Sequence, residues 1–482
     1  MTSPADRVVI VVFDGLRPDM IAGRMPVLDA FGQGGIIFTG ARSVFPSVTR
    51  VATSAIGSGH WPQGHGIVGN AFHQPDVLRG AAIDTSDFEH LAAARATWGR
   101  VIGPQTLGEV LAAHGLRMAI VHSGSAGSAY VLNPEVTANA GHWTFSIHGR
   151  EHTQTPDAVE QAIATHGPLP TGGTPKHGQI TYATEAALAQ ALGTDGPDVV
   201  VIWFCEPDSS YHYHGIGSPE ATAALATADA AFGRIVEAAT SGPRGARTAV
   251  MALSDHGQVT ITGQFGLEAA LRADGFDARV KPEDSTRIAL TLGASGEARC
   301  LHDEAEAPDL AAWLMAQNEI GMVFARDDLI GSIPGALPLS LVRADHARAP
   351  ALIYVMRSDD RPDSFGLPGQ GLMTGSGVPV GGGMHGGLNR HELATVCRLS
   401  LPSGPAGITN DRPCALPDVA PTVLALLGLP SPGMAGQALP FDGSAAPWVE
   451  TDQIIAGHGA FHQTLHRRAR GGDWVLDHGG RI

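Results

Sequence analysis

Aspartate and histidine residues occur close together at several places in this sequence, and their side chains are well suited to bind a metal ion. Asp255 and His256 are adjacent, whereas Asp208 and His212 are four residues apart. Four residues make about one helical turn, so the carboxylate and the imidazole of the second pair would face the same way. Carboxylate and imidazole groups are common ligands of Zn²⁺ and related ions. The two pairs therefore predict a metal site.

Two further residues fit the same chemistry. Asp14 follows the apolar segment RVVIVVF, and His385 lies among glycines in GGGMHGG, which let the backbone approach a site closely. With the two pairs they supply three carboxylates and three imidazoles, enough for two sites of three ligands each. Each residue alone has an ordinary explanation as a helix cap, a turn residue or a structural histidine. Their joint occurrence favours metal binding.

Thr49 is a candidate nucleophile. It follows a proline turn in FPSVTR and precedes a small-residue segment predicted to be a helix over residues 50–57. The unpaired N–H groups and the dipole at the start of a helix favour a bound anion such as phosphate. A threonine hydroxyl is a poor nucleophile near neutral pH unless a base or a metal activates it. The alternative is that Thr49 is an ordinary helix cap.

The elements that must position these residues alternate between apolar strands and helices. Strands are predicted over residues 7–13, 117–122, 198–204 and 248–253, and helices over residues 106–114, 180–192 and 219–240. Continuous apolar, β-branched segments are typical of strands buried on both faces of a parallel sheet. Acidic residues follow three of these strands, at the sheet edge where ligands bind in open α/β folds. We therefore predict an α/β fold with a mostly parallel central sheet and helices on both faces.

Residues 258–380 follow a less regular pattern, in which short strands, helices and loops rich in proline and glycine mix. We interpret this segment as an inserted cap subdomain that contacts the substrate. Residues 1–257 and 381–482 would then form the two parts of an α/β catalytic core. Within the second part, residues 416–429 are predicted to form a helix.

The composition restricts the class of protein. The chain has 482 residues, 43% of them hydrophobic, and a formal net charge of −16. Binding of a nucleic-acid polymer is not expected, because phosphate backbones need a basic surface. No apolar segment reaches the length of a membrane span, and the four cysteines show no CxxC spacing. We expect a soluble, cytoplasmic protein with reduced thiols and no membrane partner, and the sequence does not indicate an oligomeric state.

The order of these residues resembles the alkaline phosphatase superfamily, and most closely its nucleotide pyrophosphatase/phosphodiesterase branch. FDGLRPD is similar to the DG-x-RPD motif that opens this branch. The segment around Thr49 has a proline three residues earlier and Asn70 at the family's offset. EPD, SDHG, HGG and DVAPTVLALLGLP complete the resemblance, which spans most of the chain. The resemblance implies an alkaline-phosphatase-like fold.

The resemblance also implies a dinuclear metal site, with two Zn²⁺ ions, although Mn²⁺ or another divalent ion would suit the same ligands. Thr49 would lie between the two ions, which would be bound by Asp208, His212 and His385 and by Asp14, Asp255 and His256. Two ions ~4 Å apart can stabilise the attacking and leaving oxygens of an in-line displacement. Asn70 would donate a hydrogen bond to a phosphoryl oxygen. The expected reaction is hydrolysis of a small phosphodiester or nucleotide pyrophosphate through a phospho-threonine intermediate.

Arg50 departs from the pattern of this branch, in which Phe-Pro-Asn usually follows the nucleophile. It could bind a substrate phosphate or carboxylate, or be an ordinary surface arginine. A phosphonoacetate-type phosphonate hydrolase or a phosphomonoesterase with the same metal site is the main alternative. Lys176 and Lys281, the only lysines, match no motif for a substrate carboxylate. A catalytically silent, metal-stabilised binding protein is disfavoured because the nucleophile and all six ligand residues are present.

Overall fold

The Arg7–Phe13 strand, RVVIVVF, lies inside an eight-stranded sheet of the computed structural model, which describes residues 3–444, 450–470 and 472–482. All seven of its residues are buried. Its alternate side chains enter two separate hydrophobic clusters, one on each face of the sheet, because successive residues of a strand face opposite sides. This double burial explains why the sequence of the strand is continuously apolar.

The central sheet is mostly parallel. In spatial order its strands are Ile408–Asn410, Ile36–Phe38, Cys397–Ser400, Thr248–Leu253, Arg7–Phe13, Val199–Phe204, Met118–His122 and Trp143–Ser146. Among these eight strands, only Cys397–Ser400 runs antiparallel to both neighbours. Three strands that precede candidate site residues, Thr248–Leu253, Arg7–Phe13 and Val199–Phe204, are adjacent and parallel.

Helices cover both faces of this sheet. Those on one face include Thr49–Ser58, Phe88–Trp98, Leu107–Ala113, Ala126–Leu132 and Val419–Leu426. Those on the other face include Pro26–Gln33, Pro156–His166, His177–Gln190, Asp208–His214 and Pro219–Thr240. The predicted α/β fold, with a mostly parallel sheet between two layers of helices, is therefore confirmed.

Residues 258–380 contribute most of two further sheets. The strands of the six-stranded sheet are, in spatial order, Ala278–Arg279, Ile288–Leu290, Ser295–Cys300, Leu352–Met356, Ile320–Ala325 and Leu337–Pro338. Those of the four-stranded sheet are Ser358–Pro362, Pro368–Thr374, Val259–Phe265 and Gly383–Met384. The helices Leu267–Ala273 and Ala307–Ala316 pack on the six-stranded sheet in a hydrophobic cluster of its own.

A three-stranded antiparallel sheet ends the chain, with strands Thr451–His458, Phe461–Arg470 and Asp473–Arg481. Leu465 and Leu476 of this sheet share a buried cluster with Met322 and Ile353 of the six-stranded sheet. Short ladders pair Ala41–Arg42 with Cys414–Ala415 and Ala71–Phe72 with Ile83–Asp84, and short helices span Pro62–His65, Gly242–Gly245 and Arg390–Leu393. Across the described parts of the chain, the structure contains no helix with both the length and the apolar character needed to span a bilayer.

Candidate active site

Three adjacent strands of the central sheet bring acidic residues to one edge. Asp14 directly follows the Arg7–Phe13 strand, and Asp255 lies two residues after the Thr248–Leu253 strand. Asp208 begins the short Asp208–His214 helix, which follows the third strand. Because the three strands are parallel, their carboxyl ends lie together. The predicted convergence of the three carboxylates follows from this topology.

Asp14, Asp255 and His256 form one compact group, in which one ligand atom of each residue lies within 4.8 Å of the others. His256 Nε2 lies 3.5 Å from Asp14 Oδ1 and 3.2 Å from Asp255 Oδ2. The other oxygens are held by hydrogen bonds. Trp203 Nε1 donates to Asp14 Oδ2 at 3.0 Å, and the backbone N–H of Gly15 donates to Asp255 Oδ1 at 3.0 Å.

Asp14 Oδ1 and Asp255 Oδ2 are buried without a hydrogen-bond partner among the described residues. Burial, reinforced by the nearby carboxylates of Asp255 and Asp208, holds the pKa of Asp14 well above its usual value. Burial likewise raises the pKa of Asp255. An unpaired buried carboxylate is costly, and a bound cation would remove that cost. The two unpaired oxygens therefore fit a metal ion.

A second compact group contains Asp208, His256 and His385. Asp208 Oδ1 lies 3.5 Å from His385 Nε2 and 3.2 Å from Nε2 of His212. Burial opposes ionisation of Asp208, but the adjacent His212 and His385 keep its pKa below the usual range. Burial holds the pKa of His385 well below its usual value, so this imidazole is neutral at pH 7. A carboxylate and a neutral imidazole are the protonation states that a metal requires of its ligands.

In each of the three histidines, Nδ1 lies close to a backbone carbonyl oxygen. Nδ1 of His212 lies 2.6 Å from the Gly383 carbonyl oxygen, and Nδ1 of His385 lies 2.9 Å from that of Ser47. Nδ1 of His256 lies 3.1 Å from the carbonyl oxygen of the next residue. A ring whose Nδ1–H donates to a carbonyl keeps the lone pair on Nε2, the usual arrangement in metal-binding histidines. All three Nε2 atoms face carboxylates of the cluster, at 3.2 to 3.5 Å.

The structure brings all six candidate ligands together, but the distances group them differently from the sequence-based expectation. His256 belongs to both compact groups, and its ring stacks on that of His385 with centroids 3.6 Å apart. His212 joins the cluster through its contact with Asp208. The assignment of three ligands to each ion therefore stays a prediction.

Thr49 is the first residue of the Thr49–Ser58 helix, one residue earlier than the sequence suggested, and its Oγ1 lies 3.1 Å from His256 Nε2. Val48, the residue before the helix, provides no side-chain cap. Asn70 Oδ1 instead accepts the backbone N–H of Arg50 at 3.0 Å. This bond uses the carboxamide oxygen and leaves the NH₂ group for another acceptor. Thr49, Arg50 and Asn70 all line one cavity.

Arg50 is partly buried beside Thr49, and its Nε has no hydrogen-bond partner in the described chain. Burial lowers its pKa, although the carboxylates of Asp84, Asp14 and Asp208 act in the opposite direction. Arg50 also lines the cavity, where a guanidinium group is suited to an anionic ligand. This placement favours the substrate-binding interpretation of Arg50 over that of an ordinary surface arginine.

The cavity has a volume of about 520 Å³ and lies between the central sheet and the 258–380 segment. At one end it exposes Thr49, Arg50 and Asn70 together with Asp208, His212 and His385. Its remaining walls come largely from residues 291–297 and 373–378. Such a cavity is large enough for a small-molecule substrate.

Three residues that support the site were not identified from the sequence. Gln258 Nε2 donates to Asp208 Oδ1 at 2.6 Å, Trp203 donates to Asp14, and the Ser47 carbonyl accepts from His385. Gln258 immediately follows the SDHG motif, so its position was a usable signal. Trp203 lies in an apolar strand and Ser47 acts through its backbone, so neither residue type indicated a role.

Comparison with known families agrees with the fold. The family model for type I phosphodiesterase / nucleotide pyrophosphatase matches residues 8–359 of the chain. No curated protein sequence matches this chain significantly. The fold and the family match define a protein of the alkaline phosphatase superfamily. Within that superfamily, the chain belongs to the type I phosphodiesterase / nucleotide pyrophosphatase family, which confirms the resemblance of its motifs. Membership supports a metal-dependent hydrolase of the phosphodiesterase or pyrophosphatase type.

Proposed function

We propose that this protein is a dinuclear metal-dependent phosphodiesterase that uses Thr49 as a covalent nucleophile. One observation carries the proposal. The Nε2 atoms of three histidines and two unpaired carboxylate oxygens form one cluster, and the Thr49 hydroxyl lies 3.1 Å from the Nε2 atom of His256. That set of donors suits Zn²⁺, although another divalent ion would be accepted.

Six residues would hold the two ions, namely Asp14, Asp208, His212, Asp255, His256 and His385. When bound, the ions would lower the pKa of a coordinated hydroxyl and neutralise charge on the phosphoryl oxygens. Trp203 and Gln258 keep the carboxylates of Asp14 and Asp208 in position through their hydrogen bonds. The carbonyl groups at Nδ1 fix the tautomer of the three histidines.

Thr49 attacks phosphorus through Oγ1, so the Oγ1–P bond forms while the bond to the leaving alcohol oxygen breaks. Water then attacks phosphorus, breaks the Oγ1–P bond and restores the Thr49 hydroxyl. The start of the Thr49–Ser58 helix supplies a favourable field for the anionic phosphoryl group. Covalent catalysis of this kind divides one difficult displacement into two easier ones.

Asn70 and Arg50 would bind the non-bridging phosphoryl oxygens. The Arg50 N–H donates to Asn70 Oδ1, which leaves the NH₂ group of Asn70 free for another acceptor. It can therefore donate to the phosphoryl group, an interaction worth ~3–4 kcal/mol in comparable oxyanion sites. The 258–380 segment acts as the cap that closes over the substrate, because it supplies most of the cavity walls beyond the polar end.

Replacing the nucleophile tests the covalent mechanism. We expect Thr49→Ala to lower kcat for bis-p-nitrophenyl phosphate by at least ~10³-fold while leaving bound metal nearly unchanged. The matched control is Thr53→Ala, which removes a buried threonine whose hydroxyl donates to the Thr49 carbonyl in the same helix. This control should retain activity within about tenfold. Full activity of Thr49→Ala would reject the covalent mechanism.

Removal of the metal tests the other half of the proposal. Exhaustive chelation should abolish hydrolysis, and added Zn²⁺ or Mn²⁺ should restore it, because the Thr49 hydroxyl alone is a poor nucleophile. Mass spectrometry of the native protein should detect two ions per chain. Activity that survives complete chelation would contradict the metal role.

A further inference from the structure

The cavity beside Thr49 has a sharply uneven distribution of charge. Among its lining residues, Arg50 is the one arginine, and no lysine is present. Arg50 lies at the polar end, next to the nucleophile. The 258–380 segment contributes Glu297 as its single charged lining residue. The walls beyond the phosphoryl position therefore offer no cation to a second anionic group.

The Glu297 carboxylate already has hydrogen-bond partners within the protein. Its Oε1 accepts the backbone N–H of His73 at 2.6 Å and lies 2.5 Å from His73 Nδ1. Its Oε2 accepts from Arg299 Nε at 3.4 Å. The side chain is almost fully buried. Glu297 is thus a structural group, and a cationic substrate group would have to compete with these partners.

The remaining wall is apolar or small. Large apolar side chains line it, namely Phe72, Leu292, Ile353, Met373, Val378 and Met384. Leu292 and Tyr213 also line the cavity while remaining exposed, at 38% and 57% of their surface. Part of the cavity lining therefore reaches the protein surface, which leaves room for a bulky apolar group.

We infer that the substrate is a monoanionic phosphodiester with an uncharged, apolar substituent, rather than a nucleoside di- or triphosphate or a phosphonocarboxylate. This inference rests on the proposed function and narrows it. One phosphoryl charge meets Thr49, Arg50 and Asn70, and the apolar substituent lies against the wall formed by Leu292, Ile353 and Met373. A second phosphate or a carboxylate in that place would be desolvated without a partner, which is strongly unfavourable.

Competition experiments test the inference without depending on which ester bond is cleaved. Symmetrical diethyl, dibutyl and dihexyl phosphate compete with bis-p-nitrophenyl phosphate for the metal-loaded enzyme. We expect the inhibition constant to fall about twofold to fourfold for each methylene group buried. ATP, with divalent ion in excess, and phosphonoacetate should inhibit more weakly than dibutyl phosphate. Tighter binding of diphenyl phosphate than of dihexyl phosphate would indicate an aromatic substituent, and the reverse order would indicate an aliphatic one. Either result supports an apolar substituent.

A charge placed on the wall provides a second measurement. Leu292→Lys should weaken the binding of dihexyl phosphate at least fivefold, because an ammonium group replaces apolar surface. The same change should strengthen the binding of ATP. Val27→Lys is the matched control, since Val27 is also 38% exposed but lies on the Pro26–Gln33 helix outside the cavity. It should change neither inhibition constant.

The outcomes separate this inference from the proposed function. The inference is overturned if the inhibition constant does not change across the alkyl series, or if ATP binds more tightly than dihexyl phosphate. In either case, hydrolysis of bis-p-nitrophenyl phosphate would still support a phosphodiesterase. Failure of the metal-loaded enzyme to hydrolyse that diester contradicts the proposed function itself, and the inference falls with it.

Discussion

The indole of Trp203 is a buried donor to a candidate metal ligand, at 3.0 Å from Asp14 Oδ2. Trp203→Phe keeps an aromatic ring but removes this donor, so Asp14 should lose its fixed orientation. We expect metal affinity to fall about 10- to 100-fold, as for other residues that support ligands. Metal retained during titration with a chelator measures the effect.

The control for this change is Trp143→Phe, since Trp143 lies on an edge strand of the same sheet and is only partly buried. It should leave metal affinity unchanged. Thermal unfolding of both variants checks that the fold is intact. Equal metal affinity in wild-type protein and Trp203→Phe would mean that the indole does not position Asp14.

His122 is a buried histidine close to the site. It stacks on Trp203 with ring centroids 5.2 Å apart, and burial lowers its pKa to about 3. The unfolded state therefore binds this proton at higher pH than the folded state, and stability is lost as the pH falls below about 6.5. By pH 5 the loss from this group should be about 2 kcal/mol.

His122→Asn removes that titration and keeps an acceptor for the Gly124 N–H, which donates to His122 Nδ1 at 3.0 Å. Urea unfolding at pH 5 and pH 7.5 should therefore show a smaller decline for the variant than for wild-type protein. His114→Asn, at an exposed position, should retain the wild-type decline. If the stability of His122→Asn declines as steeply as that of wild-type protein, protonation of His122 is not the cause of the decline.

At the residue scale, the candidate ligands could be predicted because carboxylates and imidazoles after apolar strands are visible in the sequence. Asp14 and Asp255 are examples, since the parallel sheet brings them together. The backbone acceptors for the histidines could not be predicted. The Ser47 carbonyl meets His385 across 338 positions of sequence, and any residue type could supply that oxygen.

The glycine-rich loop that carries His385 has backbone geometry that few residues adopt. Gly386 has φ of +119°, and a Cβ there would lie 3.0 Å from Val48 Cγ1. Gly386→Ala should cost ~1–3 kcal/mol in strain and displace the adjacent His385. We expect kcat/KM for bis-p-nitrophenyl phosphate to fall more than tenfold.

The Gly381→Ala variant separates the effect of backbone strain from the effect of displacing His385. Gly381 also has a positive φ, +90°, but a Cβ there would meet nothing within 4 Å. Its stability should fall by a similar amount while its activity stays within a few-fold of wild type. If both variants lose activity equally, a clash of the new Cβ with Val48 is not the cause of the loss in Gly386→Ala.

At the element scale, buried strands and long helices could be predicted closely. The Thr248–Leu253 strand and the Pro219–Thr240 helix have the predicted bounds, because a continuous apolar segment and a long periodic one leave few alternatives. The strands of the 258–380 segment were not placed individually. Many are short, such as Ala278–Arg279 and Ile288–Leu290. Others pair with strands distant in sequence, as Ser295–Cys300 does with Leu352–Met356.

At the scale of the whole molecule, the three-stranded sheet at the end of the chain connects the central fold to the 258–380 segment. Asp477 pairs with Arg42 at 2.7 Å, and the Gly479 N–H donates to the Leu388 carbonyl near the His385 loop. On the other side, Leu465 packs in one cluster with Ile353, which lines the cavity. No motif indicated this arrangement, since an apolar residue in a strand does not specify which distant surface it will cover.

Leu465 tests whether this connection stabilises the molecule. Its side chain is fully buried against the six-stranded sheet, so Leu465→Ala should leave a cavity and lower the free energy of unfolding by about 2–5 kcal/mol. Ile455→Ala is the matched control in the same three-stranded sheet, where Ile455 is 58% exposed, and it should cost less than about 1 kcal/mol. Urea unfolding measures both, and the inhibition constant of dihexyl phosphate reports on the Ile353 wall. Equal, small effects of the two variants would mean that the terminal sheet does not stabilise the cavity wall through Leu465.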